Sequence, residues 1–428
     1  MQFLRKGILI IGLILILTLA FPTSPTKATE KSIPSRFDSR EEGYDFPVRD
    51  QVTYSVGYAF AGVEAVQAAI WKKEKIQVDL SENNAIRCNW HKLNKFDSLI
   101  NKGKDFMIIS NLFTQKGLVL ESCDPYELEV DPVCNQSCEA VYYVTEWQHI
   151  TDGNNDEIKS LLLEYGPVYS EMDGYIPGFE NFGGGEVIVY EGTLSDFWHS
   201  VLIIGWDDDL THKNGKGAWI VKNSYGSDWG DDGYFYLAYG SAGIGKDVAV
   251  VTGYRKSTPT DRLYFFDEAG HTNQWGFDVT NLKQGSALAI FTVNSDEYTR
   301  SVEFWTYDQA TVNLALYSSF DQNIFGEKIH ALTDYQTPYA GYYSIDLPFL
   351  ELAEGQEIVV ELEVTNNTEF FPITTDCLGE RSDERTWYKD QFGVWYPLSQ
   401  QECDAAIRLR TGEITEDFSK IYLPILWR

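Results

Sequence analysis

Basic residues are scarce in this sequence. It has 34 lysines and arginines against 64 acids in 428 residues, a formal net charge of −30. No basic face is available to neutralise phosphates, which argues against nucleic acid and anionic membranes as partners. Cysteine is scarce as well. Six cysteines in this length are too few for a disulfide scaffold, yet enough for a few staples or one reactive thiol. Beyond the first twenty residues no long apolar run occurs, so no later stretch reads as a membrane span. No internal repeat organises the chain.

What is present bounds the class. With 43% apolar and 14% aromatic residues the chain can bury a substantial core, and its length predicts two domains or three. Arg5 and Lys6 precede an apolar run over residues 8–20. That run is short for a membrane span and suits the core of a signal peptide. Thr26-Lys27-Ala28 offers small residues for cleavage, with Ala20 as a second choice, so residues 1–28 read as a signal; the alternative is an uncleaved anchor. Cleavage removes Arg5, Lys6 and Lys27 and no acid, leaving a mature charge of −33. No cysteine adjoins the site, so a lipoprotein is not expected. The segment predicts a secreted or extracytoplasmic protein, with cell-surface association an option and no transmembrane segment in the mature chain. That compartment permits disulfides.

The chain then divides. Residues 31–255 mix helical and strand patterns. Gly57–Lys72 reads as a helix, with Phe60, Val63, Val66, Ala69 and Ile70 along one stripe. Asp105–Lys116 and Asn155–Tyr165 read as two more, stopped by Gly117 and by Gly166-Pro167. Val201–Ile204, Trp219–Val221 and Tyr234–Leu237 read as buried strands. Residues 256–261 (KSTPTD) look like a linker. Over 262–411 apolar and polar residues alternate, as in Ala287–Val293 and Val359–Val364, with turn residues at short intervals. That pattern predicts a β-sandwich. Residues 412–428 form a tail whose apolar end is too short to span a membrane.

Six ordered motifs cover nearly all of residues 33–255. They are Pro34-Ser35-Arg36-Phe37-Asp38 with Pro47-Val48-Arg49-Asp50-Gln51, Leu80-Ser81-Glu82-Asn83 leading to Cys88, Gly166-Pro167-Val168, Trp198–Trp206 around His199, Trp219–Gly230 around Asn223, and Gly233-Tyr234-Phe235. On these residues the segment resembles the papain-like cysteine peptidases. The resemblance implies an α+β, two-lobed domain, with a helical lobe and a β-barrel lobe. It implies His199 as the proton carrier, Asn223 as the amide that orients the ring, and Gln51 as the oxyanion donor. His199 lies beyond Gly57 by an interval inside the ~130–150 residues usual for this family. Trp229 matches a tryptophan of the cleft wall, and simple core packing is its plainer role.

The nucleophile is missing. Where the family writes Q-G-x-C-G-S-C-W-A-F, this chain writes Gln51-Val52-Thr53-Tyr54-Ser55-Val56-Gly57-Tyr58-Ala59-Phe60. Gln51 and Ala59-Phe60 pin both ends without a gap, so Gly57 stands at the nucleophile position. Glycine carries neither nucleophile nor proton. All four residues of C-G-S-C are replaced together, which reads as lost peptidase chemistry. Ser55 lies two positions upstream, off the helix N-terminus and out of reach of His199. Without a nucleophile, His199 and Asn223 read first as a retained packing pair and second as ligand contacts.

The cysteines fit that frame. Cys88 matches a family cysteine whose usual partner position is Tyr54 here. It is therefore free or re-paired among Cys123, Cys134 and Cys138, and three complete pairings stay open. Cys134 and Cys138, with three residues between them, favour a staple over zinc. Cys377 and Cys403 belong to the second domain and are expected to pair. Asp207-Asp208-Asp209 lacks calcium-loop spacing and reads as a solvated turn. No metal and no cofactor are expected.

The second domain resembles the lectin-like β-sandwich that follows the papain-like domain in some bacterial secreted members. The features are Tyr264-Phe265-Phe266-Asp267, Gly341-Tyr342-Tyr343, Gly355-Gln356-Glu357 and the Cys377 and Cys403 pair. Trp275, Trp305, Trp387 and Trp395 are candidates for sugar stacking, with core packing as the plainer role. The few residues between signal and Ser32 leave no room for a helical plug of the cleft. Three functions follow. The first is an inactive homologue whose cleft or β-domain binds peptide, protein or glycan. The second is an active peptidase with an unrecognised nucleophile. The third is a carbohydrate-binding surface module on a papain-like scaffold.

Overall fold

The first long helix, α1 (Gly57–Glu74), sets the frame of the first half. The computed structural model describes residues 32–52, 55–94, 106–127, 133–275, 283–366 and 372–414. The expected signal segment, Thr53, Tyr54 and the apolar end of the tail lie outside the described residues. The expected stripe on α1 proves too narrow. Every residue from Gly57 to Trp71 except Glu64 is buried, as a helix apolar on all sides must be. It packs between the other helices and the strands Trp198–His212 and Asp247–Lys256. Lys75 closes it in the left-handed conformation. Its start, after Val56, has no side-chain cap, and the Ala59 N–H donates to the Val56 carbonyl at 3.0 Å.

Four shorter helices follow: α2 (Glu82–Cys88), α3 (Trp90–Leu93), α4 (Phe106–Gln115) and α5 (Asn155–Tyr165). Ser81 caps α2 and Asn154 caps α5, each side chain accepting from a backbone N–H three residues on. α1 and α4 meet at Gly62, where a Cβ would stand 2.2 Å from Ile109 Cδ1. A methyl there would have to displace the far end of the Ile109 side chain. Disulfides Cys88–Cys134 and Cys123–Cys138 tie down the segment beyond α2. Of the three open pairings this is the one formed, and Cys88 is re-paired.

The predicted strands are present and longer than the sequence pattern suggested. Val201–Ile204 lies within Trp198–His212, which pairs with Val168–Asp173, Gly215–Lys222 and Arg36–Asp38. Asp207-Asp208-Asp209 is part of this strand rather than a turn. Asp208 accepts from Lys159 Nζ at 2.6 Å and from Tyr239 O–H at 2.6 Å, while Asp209 is exposed to solvent.

The two halves share one sheet. Tyr142–Thr151, from the barrel, pairs antiparallel with Ala340–Asp346 at Ala340↔His149, Gly341↔Gln148 and Tyr342↔Trp147. The same sheet continues through Glu297–Thr306, Ile407–Glu413 and Asp261–Tyr264. Facing it is a second sheet in the order Lys328–Thr337, Ala310–Tyr317, Glu357–Asn366, Gln284–Thr292, Thr386–Lys389 and Trp395–Pro397. Phe291, Val302, Phe304, Leu316, Val360 and Leu409 fill the space between. The alternation of Ala287–Val293 has its cause here: Ala287, Ala289, Phe291 and Val293 point into the sandwich, and Leu288 and Ile290 join a separate cluster with Trp395. Cys377–Cys403 closes this half, as expected.

Buried charges lock the halves together. Arg408, fully buried, holds Asp267 through Nε (3.0 and 2.9 Å) and Nη2 (2.7 Å), and reaches Asn111 (2.6 Å) and Thr114 (2.8 Å) on α4. Arg410 pairs with Glu303 and donates to the Thr114 carbonyl at 2.9 Å. The 256–261 stretch is anchored as well, with Asp261 paired to Arg255 and Arg300. Residues from Pro34 onward accordingly form one compact unit.

Candidate active site

Three elements bring the predicted residues together. Gly57 opens α1, His199 is the second residue of Trp198–His212, and Asn223 follows Gly215–Lys222. Gln51 approaches from the preceding loop. Its N–H donates to the Ser224 carbonyl at 2.8 Å, and its carbonyl accepts from Tyr126 O–H at 3.1 Å.

His199 Nε2 lies 2.8 Å from Asn223 Oδ1. That oxygen also accepts from the Ser224 N–H at 2.9 Å, which fixes the amide orientation. The oxygen can only accept, so Nε2 carries the proton and Nδ1 presents a lone pair towards Gly57. A Cβ placed on Gly57 would stand 3.3 Å from His199 Nδ1. The slot for a nucleophile is therefore intact and the side chain is not. The same Cβ would stand 2.9 Å from Gln51 Oε1, which accepts from Ser224 O–H. The glutamine amide has settled towards the space a nucleophile would fill.

Aromatic rings wall the imidazole. Tyr225 lies 5.0 Å from the His199 ring at a 33° tilt, and Phe179 lies at 6.0 Å. Burial pushes the His199 pKa down to about 4, against the opposing Asn223 hydrogen bond. The ring is neutral at physiological pH. In the family's chemistry a thiolate beside it would favour the imidazolium, and no such anion is present. The arrangement can accept a hydrogen bond at Nδ1 and polarise a group at the α1 terminus. At position 57 itself it holds no side chain that could attack a carbonyl.

Around this point runs a cleft of about 500 Å³, lined by Asp50, Gln51, Ser55, Tyr175, Glu180 and Phe197 among others. The size is ordinary for a ligand site. Trp229 lines it, but its ring is mostly buried against Phe179, Tyr225 and Phe235, with Nε1 donating to the Phe179 carbonyl at 2.9 Å. Tyr175 is 65% exposed and stacks on Phe197 at 4.8 Å. Ser55 borders the cleft. All six cysteines are in disulfides.

Sequence reasoning missed three supports. Ser224 holds Gln51 and Asn223, Tyr225 covers the imidazole, and Phe179 anchors Trp229. Ser224 and Tyr225 directly follow Asn223 in its motif, and that adjacency is the signal that could have found them. Phe179 lies in a loop without a motif. Of the candidate tryptophans, Trp305 and Trp395 are buried in packing, Trp387 is half-buried against Phe320, and the Trp275 side chain lies outside the described residues.

Comparison with known proteins agrees with this geometry. The family described as "Papain family cysteine protease" matches residues 33–252, and "Lectin like domain" matches residues 263–390. Procathepsin L of Felis catus is 32% identical over 212 residues, covering 48% of this chain and 61% of that protein. Cathepsin J of Mus musculus is 30% identical over 208 residues, covering 48% and 60%. The chain thus spans about three fifths of the length of these relatives. Among solved structures, the clostridial cysteine protease Cwp84 after propeptide cleavage superposes with a TM-score of 0.74, covering 89% of this chain and all of that one, at 19% identity. A second structure holds the cysteine protease and lectin-like domains of Cwp84, a surface layer associated protein of Clostridium difficile. It gives 0.73 at 18% identity, covering 89% of each chain. At such identities the likeness carries the fold, which is α+β: a papain-like domain followed by a lectin-like, strand-rich domain. The chain belongs to the papain family of cysteine proteases and carries a lectin-like domain behind its papain-like one.

Proposed function

We propose that this protein is a papain-family member without peptidase chemistry, which uses its retained cleft to bind an extended peptide segment outside the cytoplasm. One observation carries the reading. Gly57 occupies the position where a nucleophile's Cβ would face His199 Nδ1 at 3.3 Å, and the rest of the site is assembled around it. The relatives are named as proteases and cathepsins, and the reading sets this chain apart from them at Gly57. The disulfide bonding of all six cysteines supports the same reading, since no thiol remains to replace the missing one. Three disulfides and the N-terminal signal pattern favour an oxidising, extracytoplasmic location. Nδ1 of the neutral His199, as an acceptor, suits a peptide N–H. The exposed Tyr175, packed on the half-buried Phe197, suits an apolar side chain.

The test compares the protein with Gly57→Cys. Both are assayed for hydrolysis of peptide substrates and for labelling by thiol- and hydroxyl-directed active-site probes. The expected result is no turnover and no label in the parent, with turnover and thiol label in Gly57→Cys. Hydrolysis by the parent, abolished by His199→Ala, would overturn the reading in favour of an active enzyme with another nucleophile. Ser55, which borders the cleft, is then the first residue to replace.

A further inference from the structure

A second cavity, of about 580 Å³, lies where the two halves share their sheet. Trp147 and His149 line it from the barrel side, Met107 comes from α4 and Glu157 from α5. The second half adds His271, Tyr339 and the turn Thr306–Gln309 that joins Glu297–Thr306 to Ala310–Tyr317. None of these residues belongs to the peptidase site.

We propose that this junction cavity binds a neutral saccharide. Its size falls within the ~300–1,000 Å³ of small-ligand sites. No lysine or arginine is among its described lining residues, while Glu157 and Asp308 are. A phosphorylated or carboxylated ligand would therefore meet carboxylates and no countercharge. Those carboxylates are already oriented. Glu157 accepts from Tyr339 O–H, and Asp308 accepts from the Gln309 N–H at 2.7 Å. His149 is held by Asp247 at 2.7 Å. Carboxylates fixed in this way serve as acceptors for hydroxyl groups.

The stacking surface is Tyr307. It is 50% exposed and braced edge-on by His271 at 5.6 Å, with Asp308 and Gln309 next in the chain. An aromatic ring flanked by an amide and a carboxylate suits the C–H face of a pyranose and its equatorial hydroxyls. Trp305 and Trp395, the more obvious platforms in the sequence, cannot serve because they are buried. Two polar atoms in the cavity wall, Trp147 Nε1 and His271 Nδ1, are buried without a hydrogen-bond partner. Native proteins normally pair such atoms with a protein group, a water or a ligand. The proposal stands whether or not the peptide cleft is catalytic.

The experiment is calorimetric titration of the full chain with the trisaccharides of N-acetylglucosamine, glucose, mannose and galactose, with trilysine as the cationic alternative. At least one saccharide binds, and both Tyr307→Ala and Gln309→Ala weaken it tenfold or more at unchanged melting temperature. Gly57→Cys leaves the affinity as it was, which separates this site from the cleft. The proposal is overturned if no trisaccharide gives heat at millimolar concentration, if binding survives both substitutions, or if trilysine alone binds.

Discussion

The cleft and the junction between the halves are built in opposite ways. In the cleft the proposed loss of chemistry rests on one absent side chain at Gly57, while His199 and Asn223 stay paired and the Gln51 amide leans towards the gap. At the junction, Arg408 by itself engages Asp267, Asn111 and Thr114, and it is the cation paired with the buried Asp267 carboxylate. A catalytic group touches few neighbours and can be lost cheaply. A buried charge has partners that cannot turn to water, so its loss disrupts the structure.

Substitutions sharpen that contrast, from strong effects to weak. Arg408→Met leaves Asp267 buried and unpaired. It is expected to destabilise by about 3–5 kcal/mol, read as a fall in melting temperature or a loss of soluble protein. A Cys88→Ser, Cys134→Ser double variant opens a link whose sequence separation is 46. It should lose about 4 kcal/mol by chain entropy, seen in the denaturation midpoint under oxidising conditions. Gly62→Ala drives a methyl into Ile109. It should cost about 1–3 kcal/mol of overpacking, less about 1 kcal/mol regained in helix propensity. A matching Ile109→Val change should recover part of the net loss.

The pH response falls next. Burial lowers the pKa of His199 and of His271 from 6.5 to about 4. The unfolded chain then binds more protons than the folded one between those values, so stability falls as pH drops from about 6.5 towards 4. Imidazole resonances followed by NMR should titrate near 4, and His199→Gln should remove part of the slope. A midpoint near 6.5 for His199 would mean that the cleft is open to water. Gly57→Cys comes last. Its Cβ fits after a shift of the Gln51 amide of a few tenths of an ångström, and the expected stability change is below ~1 kcal/mol. If it proves as damaging as Arg408→Met, the slot has collapsed and the contrast between the two regions fails.

Much of the site could be read along the chain, because its parts lie in contiguous motifs. Gln51, His199 and Asn223 each stand in a distinctive local sequence, and the missing nucleophile is visible by counting from Gln51 to Ala59. Ser224 and Tyr225 lie within the same motif as Asn223, yet their roles depend on what they face across the cleft. Phe179 gave no signal, since it acts through a backbone carbonyl. On α1 the pattern suggested one apolar stripe, because Ala61, Ala65 and Ala68 carry little hydrophobic weight, and their burial comes from neighbours on every side. The Asp207-Asp208-Asp209 run looked like a turn because Lys159 and Tyr239 are distant in sequence.

By itself the sequence determined the family and the α+β papain-like and lectin-like order, and it placed a glycine where the family's nucleophile is expected. These are properties of residue identity and local spacing. The tertiary structure alone decided that Cys88 pairs with Cys134, that the two halves share a sheet, and that Arg408 and Arg410 bind them through buried carboxylates. It also placed Tyr307 beside a cavity and buried Trp305. Each of these depends on which distant residues meet, and on how completely water is removed from between them. Neither is encoded in the spacing of a single segment.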